Sequence, residues 1–342
     1  MRSTKCCGTA ARQASICVCR VIASATLVLA LVPAASTQET TLRSRSNLVL
    51  VPTLVKDHQG AVVYGLQADD FIVEDDGIEV ASGLDEAPEG QPISLVLAIQ
   101  KGRRAAYEFT RMRGLGTMLN PLFAAGRARV AVVEFDSRVE TMRKFTSDEG
   151  LVDADLANLQ PGDDGAAILD AVGYSNNLLK NEPQDRQRVL LLISETHDHG
   201  SRVKIEDAVA AVGEANVLVY ALAFSPGVSN ILDARRGTIM NEMHPGMHFL
   251  DLAYQAGQAL RKNVPGTVTA MTGGEYELFT TRKRFEVRMN DFTNHLHSRY
   301  LLSFAPSDPH PGLHQVRVRL KDPSQGAVLA RSRYWAEGTG TK

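Results

Sequence analysis

The stretch Ile93-Ser94-Leu95-Val96-Leu97-Ala98-Ile99 limits what this chain can fold into more than any other. It is a nearly unbroken apolar run, of a length that suits a strand and is far too short to span a membrane. A strand apolar on both sides has to be covered on both faces, which is the situation of a central strand in a parallel sheet. The run stops at Gln100-Lys101-Gly102-Arg103-Arg104. Ligands of open α/β sheets bind beyond the carboxyl ends of central strands, so this loop is the first place to look for function.

The pattern on the C-terminal side of this run alternates between helix and strand. Helices are expected over residues 105–123, 148–159 (opened by Ser147 as N-cap), 166–179, 204–215 and 247–272, the last with a break at Pro265. Strands are expected over 129–135, 188–194, 217–224 and 275–279, with 139–145 as a short edge strand. Residues 225–246, rich in Gly and Pro, read as a surface insertion. The alternation predicts an α/β fold, a doubly wound and mostly parallel Rossmann-like sheet with helices on both faces.

Both ends of the chain are β in character. Strands are expected over 47–55, 61–64, 71–74 and 78–81, with Asp75-Asp76-Gly77 as a tight hairpin turn, and again over 299–304, 315–320 and 328–335. Neither group has enough strands to bury a core alone. The two are therefore expected to pair as one β-sandwich-like domain around the inserted α/β domain. The expected organisation is 1–36 signal peptide, 37–90 N-terminal β segment, 91–283 α/β domain, 284–298 linking helix and 299–342 C-terminal β segment.

Arg2, Lys5, Arg12 and Arg20 precede an apolar segment at 21–32 and the small residues Ala34-Ala35-Ser36. This is the pattern of a secretory signal, with a retained anchor as the alternative. Cys6, Cys7, Cys17 and Cys19 all lie before that segment, so a cleaved chain has no thiol chemistry. The expected location is secreted or periplasmic, with no membrane span after signal removal. A formal net charge of -2 and 6% aromatics argue against a nucleic-acid partner.

A series of stretches runs in order along the chain: Asp69-Asp70-Phe71-Ile72-Val73-Glu74-Asp75-Asp76-Gly77, the 93–99 strand, Val132-Val133-Glu134-Phe135, Ile168-Leu169-Asp170-Ala171, the 190–195 strand end and Thr272-Gly273-Gly274. Arg299-Tyr300-Leu301-Leu302, Gly312 with Val316 and Val318, and Arg331-Ser332-Arg333-Tyr334 complete it. Together these stretches resemble a von Willebrand factor type A domain and, more widely, the exported VWFA-related group described from acidobacteria. The resemblance implies a divalent-metal site at the carboxyl edge of the sheet, with Mg²⁺ held by hard oxygens. Carried onto this sequence, its positions fall on Gln100, Gly102, Arg104, Ala166 and Glu195. Only Glu195 keeps a carboxylate, and Arg104 brings a positive charge. No metal and no cofactor are expected here, and Arg104 is expected to stand in for the cation beside Glu195.

Other groups near that edge are Asp163, Asp164, His197, Asp198 and His199. Glu195-Thr196-His197-Asp198-His199 could hold a transition metal or be a solvated loop. His244 and His248 are separated by a helix-breaking Pro245-Gly246. Asp163-Asp164 could serve acid/base chemistry, but no nucleophile is paired with a base by sequence. The expected function is a secreted, non-catalytic protein-binding or adhesion module whose partner is a protein or other cell-envelope component. The alternatives are a metal-dependent adhesion protein with an atypical Mg²⁺ site, using Glu195, Asp163 or Asp164, and a periplasmic hydrolase.

Overall fold

Every residue of Ile93–Gln100 is buried, and the rest of the architecture follows from covering it. The computed structural model describes residues 48–85, 91–124, 126–183, 185–214, 216–224, 262–308 and 310–336. The expected signal segment, the 225–246 insertion with His244, and most of the expected 247–272 helix, His248 included, lie outside these residues. Among the described residues no helix is long and apolar enough to cross a membrane.

The N-terminal strands are β1 (Val49–Lys56), β2 (Phe71–Asp75), β3 (Ile78–Val80) and β4 (Ser82–Asp85). The central strands are β5 (Ile93–Gln100), β6 (Ala128–Phe135), β7 (Val139–Thr146), β8 (Gln187–Ser194), β9 (Leu218–Phe224) and β10 (Tyr276–Phe279). The C-terminal strands are β11 (Tyr300–Phe304), β12 (Gly312–Leu320), β13 (Ala327–Ala330) and β14 (Arg333–Ala336). The central strands form one sheet in the order β10-β9-β8-β5-β6-β7, parallel except for the edge strand β7. This is the mixed α/β, largely parallel class that the alternation predicts.

The helices are α1 (Leu115–Met118), α2 (Asn120–Ala124), α3 (Glu149–Ala157), α4 (Ile168–Lys180), α5 (Ile205–Glu214), α6 (Val264–Thr272) and α7 (Arg282–Leu296). Alternate residues of β5 feed two separate cores. Val96 and Ala98 pack with Ile168, Val172 and Val268. Leu95, Leu97 and Ile99 pack with Leu115, Leu119, Phe285 and Phe292. Each such aliphatic side chain gains roughly 1.5–3 kcal/mol by leaving water, so a two-sided strand outweighs any local preference at its ends.

Three local expectations need correction. The helix expected over 105–123 is a 3₁₀ turn at Ala105–Tyr107 followed by α1 and α2, because Gly114 at φ 85 interrupts it. Asp148 caps α3 instead of Ser147, accepting the Leu151 N–H at 3.3 Å. The expected linking helix is α7, and it belongs to the α/β core: Phe285, Met289, Phe292 and Leu296 are all buried there. A fragment ending at residue 283 would expose that face of the sheet.

The chain ends form two antiparallel sheets, β13-β1-β11-β4 and β14-β12-β2-β3, around a common core. The β2–β3 turn has Asp76 and Gly77 both at positive φ, 47 and 83, as a two-residue type I′ hairpin requires. Residues 61–64 make only a bridge, Lys56 to Val62. The stretch 328–335 is two strands in different sheets, split at Arg331-Ser332. There the chain crosses Gly273, where a Cβ would lie 2.4 Å from the Arg331 nitrogen. Gly273 also has φ +81, so both the close approach and the backbone conformation explain glycine in Thr272-Gly273-Gly274.

The two parts are joined by buried polar contacts. Lys56 of β1 pairs with Glu275, whose second oxygen meets His295 Nδ1 at 2.8 Å. Burial works to raise the Glu275 pKa, but the His295 hydrogen bond and the Lys56 charge outweigh it and hold it down to about 2.

Candidate functional site at the carboxyl edge

The loop after β5 turns sharply because it is pinned by backbone hydrogen bonds. Lys101 N–H donates to Phe135 O at 2.7 Å, Arg103 N–H to Asp163 O at 2.7 Å, and Gly162 N–H to Lys101 O at 2.9 Å. Loops 100–104 and 161–165 are thus locked together. Gly102 sits at their closest approach: a Cβ there would lie 2.1 Å from Gly165 O and 2.8 Å from Asp163 O. No serine fits this position without moving a loop.

Gln100 is fully buried and Glu195 is 4% exposed. The Gln100 amide binds Glu195 twice, accepting its backbone N–H at 2.9 Å and donating to its carboxylate at 3.1 Å. The same carboxylate oxygen lies 2.9 Å from Arg103 Nε. The guanidinium beside Glu195 therefore comes from Arg103, not from the expected Arg104. Arg104 is exposed at the head of the 3₁₀ turn. Arg103 reaches Glu195 because its backbone takes the left-handed conformation, φ 53, which turns its side chain inward.

The remaining candidates do not converge on this cluster. Ala166 is buried in the core and bridges His199 through backbone hydrogen bonds of 2.8 Å in both directions. Asp163 organises its own loop: it accepts the N–H groups of Ser137 and Gly165 at 2.9 and 2.8 Å, and the Ser137 hydroxyl. The Ser137 hydroxyl and these N–H groups hold its carboxyl below the usual range. Asp164 is exposed. Asp198 accepts the Leu169 N–H at 3.0 Å at the start of α4, and the Ser201 hydroxyl at 2.5 Å. His197 is exposed and its Nδ1 meets the Thr196 hydroxyl at 2.8 Å. The 195–199 segment is a capping loop, not a ligand set.

Asp136, which the sequence does not single out, and Lys101 of the expected loop also hold this edge together. Asp136 O accepts the Ala167 N–H at 2.7 Å and its carboxylate accepts the Arg138 N–H at 3.0 Å. Lys101 pairs with Glu134 at 2.8 Å. Burial would lower the Lys101 pKa, but Glu134, Asp136 and Glu140 together raise it. The signal for Asp136 was Asp-Ser between two strand patterns, a turn former.

The donor set does not suit Mg²⁺, which demands near-octahedral oxygen ligation. It offers one carboxylate and one amide oxygen. The carboxylate already holds a guanidinium, and the amide oxygen already accepts a backbone N–H. Among the described residues, the metal-competent side chains that do cluster are Asp75, Asp76 and His314 in the sandwich. They too are committed. Asp75 accepts from Ser307 and Tyr334, while His314 Nδ1 meets Asp76 at 2.7 Å and Nε2 meets His310 O at 2.8 Å. Two acceptors require protons on both ring nitrogens.

A largely parallel sheet with loops meeting at its carboxyl edge defines the class, an open α/β fold. Residues 101–197 match the family described as von Willebrand factor type A domain. No curated protein matches the chain. Similar solved structures include BatB from Bacteroides thetaiotaomicron, at 12% identity and TM-score 0.40, covering 60% of this chain and 97% of that one. The vWF domain of the type V pili tip protein Mfa5 from Porphyromonas gingivalis is similar at 8% identity and TM-score 0.40, covering 60% and 95%. The PilB minor pilin from Streptococcus sanguinis is similar at 14% identity and TM-score 0.41, covering 63% of each chain.

Proposed function

We propose that this chain is a secreted or periplasmic, non-catalytic binding module whose type A domain works without a divalent ion. The observation that supports this reading is the Arg103 guanidinium on the Glu195 carboxylate, 2.9 Å away, backed by Gln100. Arginine supplies a permanent charge in a fixed planar fork, so it can neutralise a buried carboxylate as a metal would. It leaves no open coordination position, so a protein or other envelope partner would be bound by shape and hydrogen bonds.

The test is a pull-down from the producing cell's envelope fraction, with and without EDTA. Retention of the same partner in EDTA is expected. Loss of the partner in EDTA, restored by Mg²⁺, would favour the metal-dependent reading.

A further inference from the structure

The opposite edge of the same sheet holds a different kind of site. A cavity of about 700 Å³ lies where the starts of β8 and β9 meet β1 and β11 of the sandwich. Its wall contains Arg186, Arg188, Arg299 and Arg331 and, among the described residues, no acidic side chain. Four guanidinium groups from distant parts of the chain therefore line one space with no carboxylate of the described residues among them.

Two of the four are deeply buried, Arg331 at 5% and Arg299 at 8% exposure. Their partners are neutral. Arg331 donates to Leu50 O and Asn216 Oδ1, each at 3.2 Å. Arg299 donates to the Tyr220 hydroxyl at 3.0 Å and to Gly273 O at 2.7 Å. Arg186 and Arg188 donate to backbone carbonyls, Arg186 also to the Ser94 hydroxyl. Arg331 Nε, Arg299 Nη2 and Arg188 Nε are buried with no hydrogen-bond partner. Desolvation pulls the Arg331 pKa down to about 10. Glu275, whose charge acts on Tyr220, is committed to Lys56 and His295.

Buried cations are normally paired, because an isolated one forfeits its hydration for nothing. Guanidinium clusters are the usual answer to carboxylate and phosphate groups, which they bind in bidentate fashion. Pro52, Leu218 and Leu301 give the same wall an apolar part, and the volume is that of a small-molecule site.

We infer that this amino-edge cavity is a binding site for an oxyanion, a phosphate or carboxylate group, carried by a small molecule with an apolar body. Arg331 and Arg299 supply the deeply buried charge, and Arg188 is half-buried. This site is separate from the carboxyl edge, and its test is independent of divalent ions.

The experiment is calorimetric titration of the full chain at constant ionic strength with phenyl phosphate, inorganic phosphate and phenol, with thermal unfolding in parallel. Saturable binding of phenyl phosphate is expected, and none of phenol. Weaker binding of inorganic phosphate would assign the site to an organic carrier, and equal binding to the free anion. Arg188→Gln, which is only partly buried, should bind about tenfold or more weakly, the loss of one charge-assisted contact. Arg331→Gln should lose the anion-dependent rise in Tm, yet be no less stable than the parent in anion-free buffer. No saturable binding of either phosphate, or Arg188→Gln binding as tightly as the parent, would overturn the inference.

Discussion

The two edges of the central sheet handle charge in opposite ways. At the carboxyl edge two buried or half-buried charges meet their opposites at short range: Glu195 with Arg103 and Lys101 with Glu134. At the amino edge Glu275 is closed in the same manner by Lys56 and His295, but Arg186, Arg188, Arg299 and Arg331 line a cavity without a carboxylate among the described residues. Glu195, Arg299 and Arg331 are all buried, none more than 8% exposed, so the difference between them lies in pairing. A topological position where ligands usually bind can be closed by the protein's own side chains. A less usual edge can keep charge available for an outside partner.

The largest effect is expected at the amino edge. Glu275→Ala leaves Lys56 and His295 without their carboxylate inside the joint between sheet and sandwich. Removing one member of a buried ion pair costs about 3–5 kcal/mol, read by denaturant unfolding. Arg331→Gln, where the chain crosses Gly273, removes a buried charge that has no opposite partner and should cost little or nothing. Equal losses for the two would erase the distinction between paired and unpaired charge.

Next in size is Gly102→Ser at the carboxyl edge. Its Cβ would meet Gly165 O at 2.1 Å, so overpacking should cost about 1–3 kcal/mol. Unchanged stability would show that the two loops yield easily and that a metal-type serine can be accommodated.

Arg103→Ala and Arg104→Ala separate the two neighbours. Arg103 is about one-third exposed, so its loss should cost about 1 kcal/mol after solvent screening. Arg104→Ala should stay within about 0.5 kcal/mol. The reverse order would restore the assignment to Arg104.

The smallest effect is in pH dependence. The Glu275 carboxyl is held at about 2 against an ordinary 4.5, so its contribution is present above pH 4.5 and is lost as pH falls toward 2. His314 has the opposite sign. Burial opposes its charge, but Asp76 and the His310 carbonyl raise its pKa above 6.5. Its contribution is complete below pH 6.5 and is lost as pH rises through the folded value. Acid unfolding of Glu275→Gln beside the parent checks the first, and mildly alkaline unfolding of His314→Gln the second.

The fold was legible where burial alone decides. The apolar run ending at Ile99 and the strands ending near Phe135, Ser194 and Phe224 announce themselves by composition. Asp76-Gly77 announces its hairpin by the positive φ it needs. The carboxyl-edge positions Gln100 and Glu195 were legible through the resemblance, and they touch. The exchange of Arg104 for Arg103 was not legible, because one residue's left-handed backbone turns one side chain in and its neighbour out. Nor was the split at Arg331-Ser332, which depends on Gly273 passing beneath. The arginine cavity left no spacing signal, since its members come from positions 186, 188, 299 and 331.

The most direct test of the closed carboxyl edge is the melting temperature of the full chain in EDTA and across millimolar Mg²⁺ and Mn²⁺ at fixed ionic strength. A ligand that binds only the folded state must raise Tm in a saturable way. With Arg103 already on Glu195, no saturable rise is predicted in the parent, nor in Arg104→Ala. A saturable rise in the parent that disappears in Glu195→Ala would contradict the account and install the metal-dependent reading in its place.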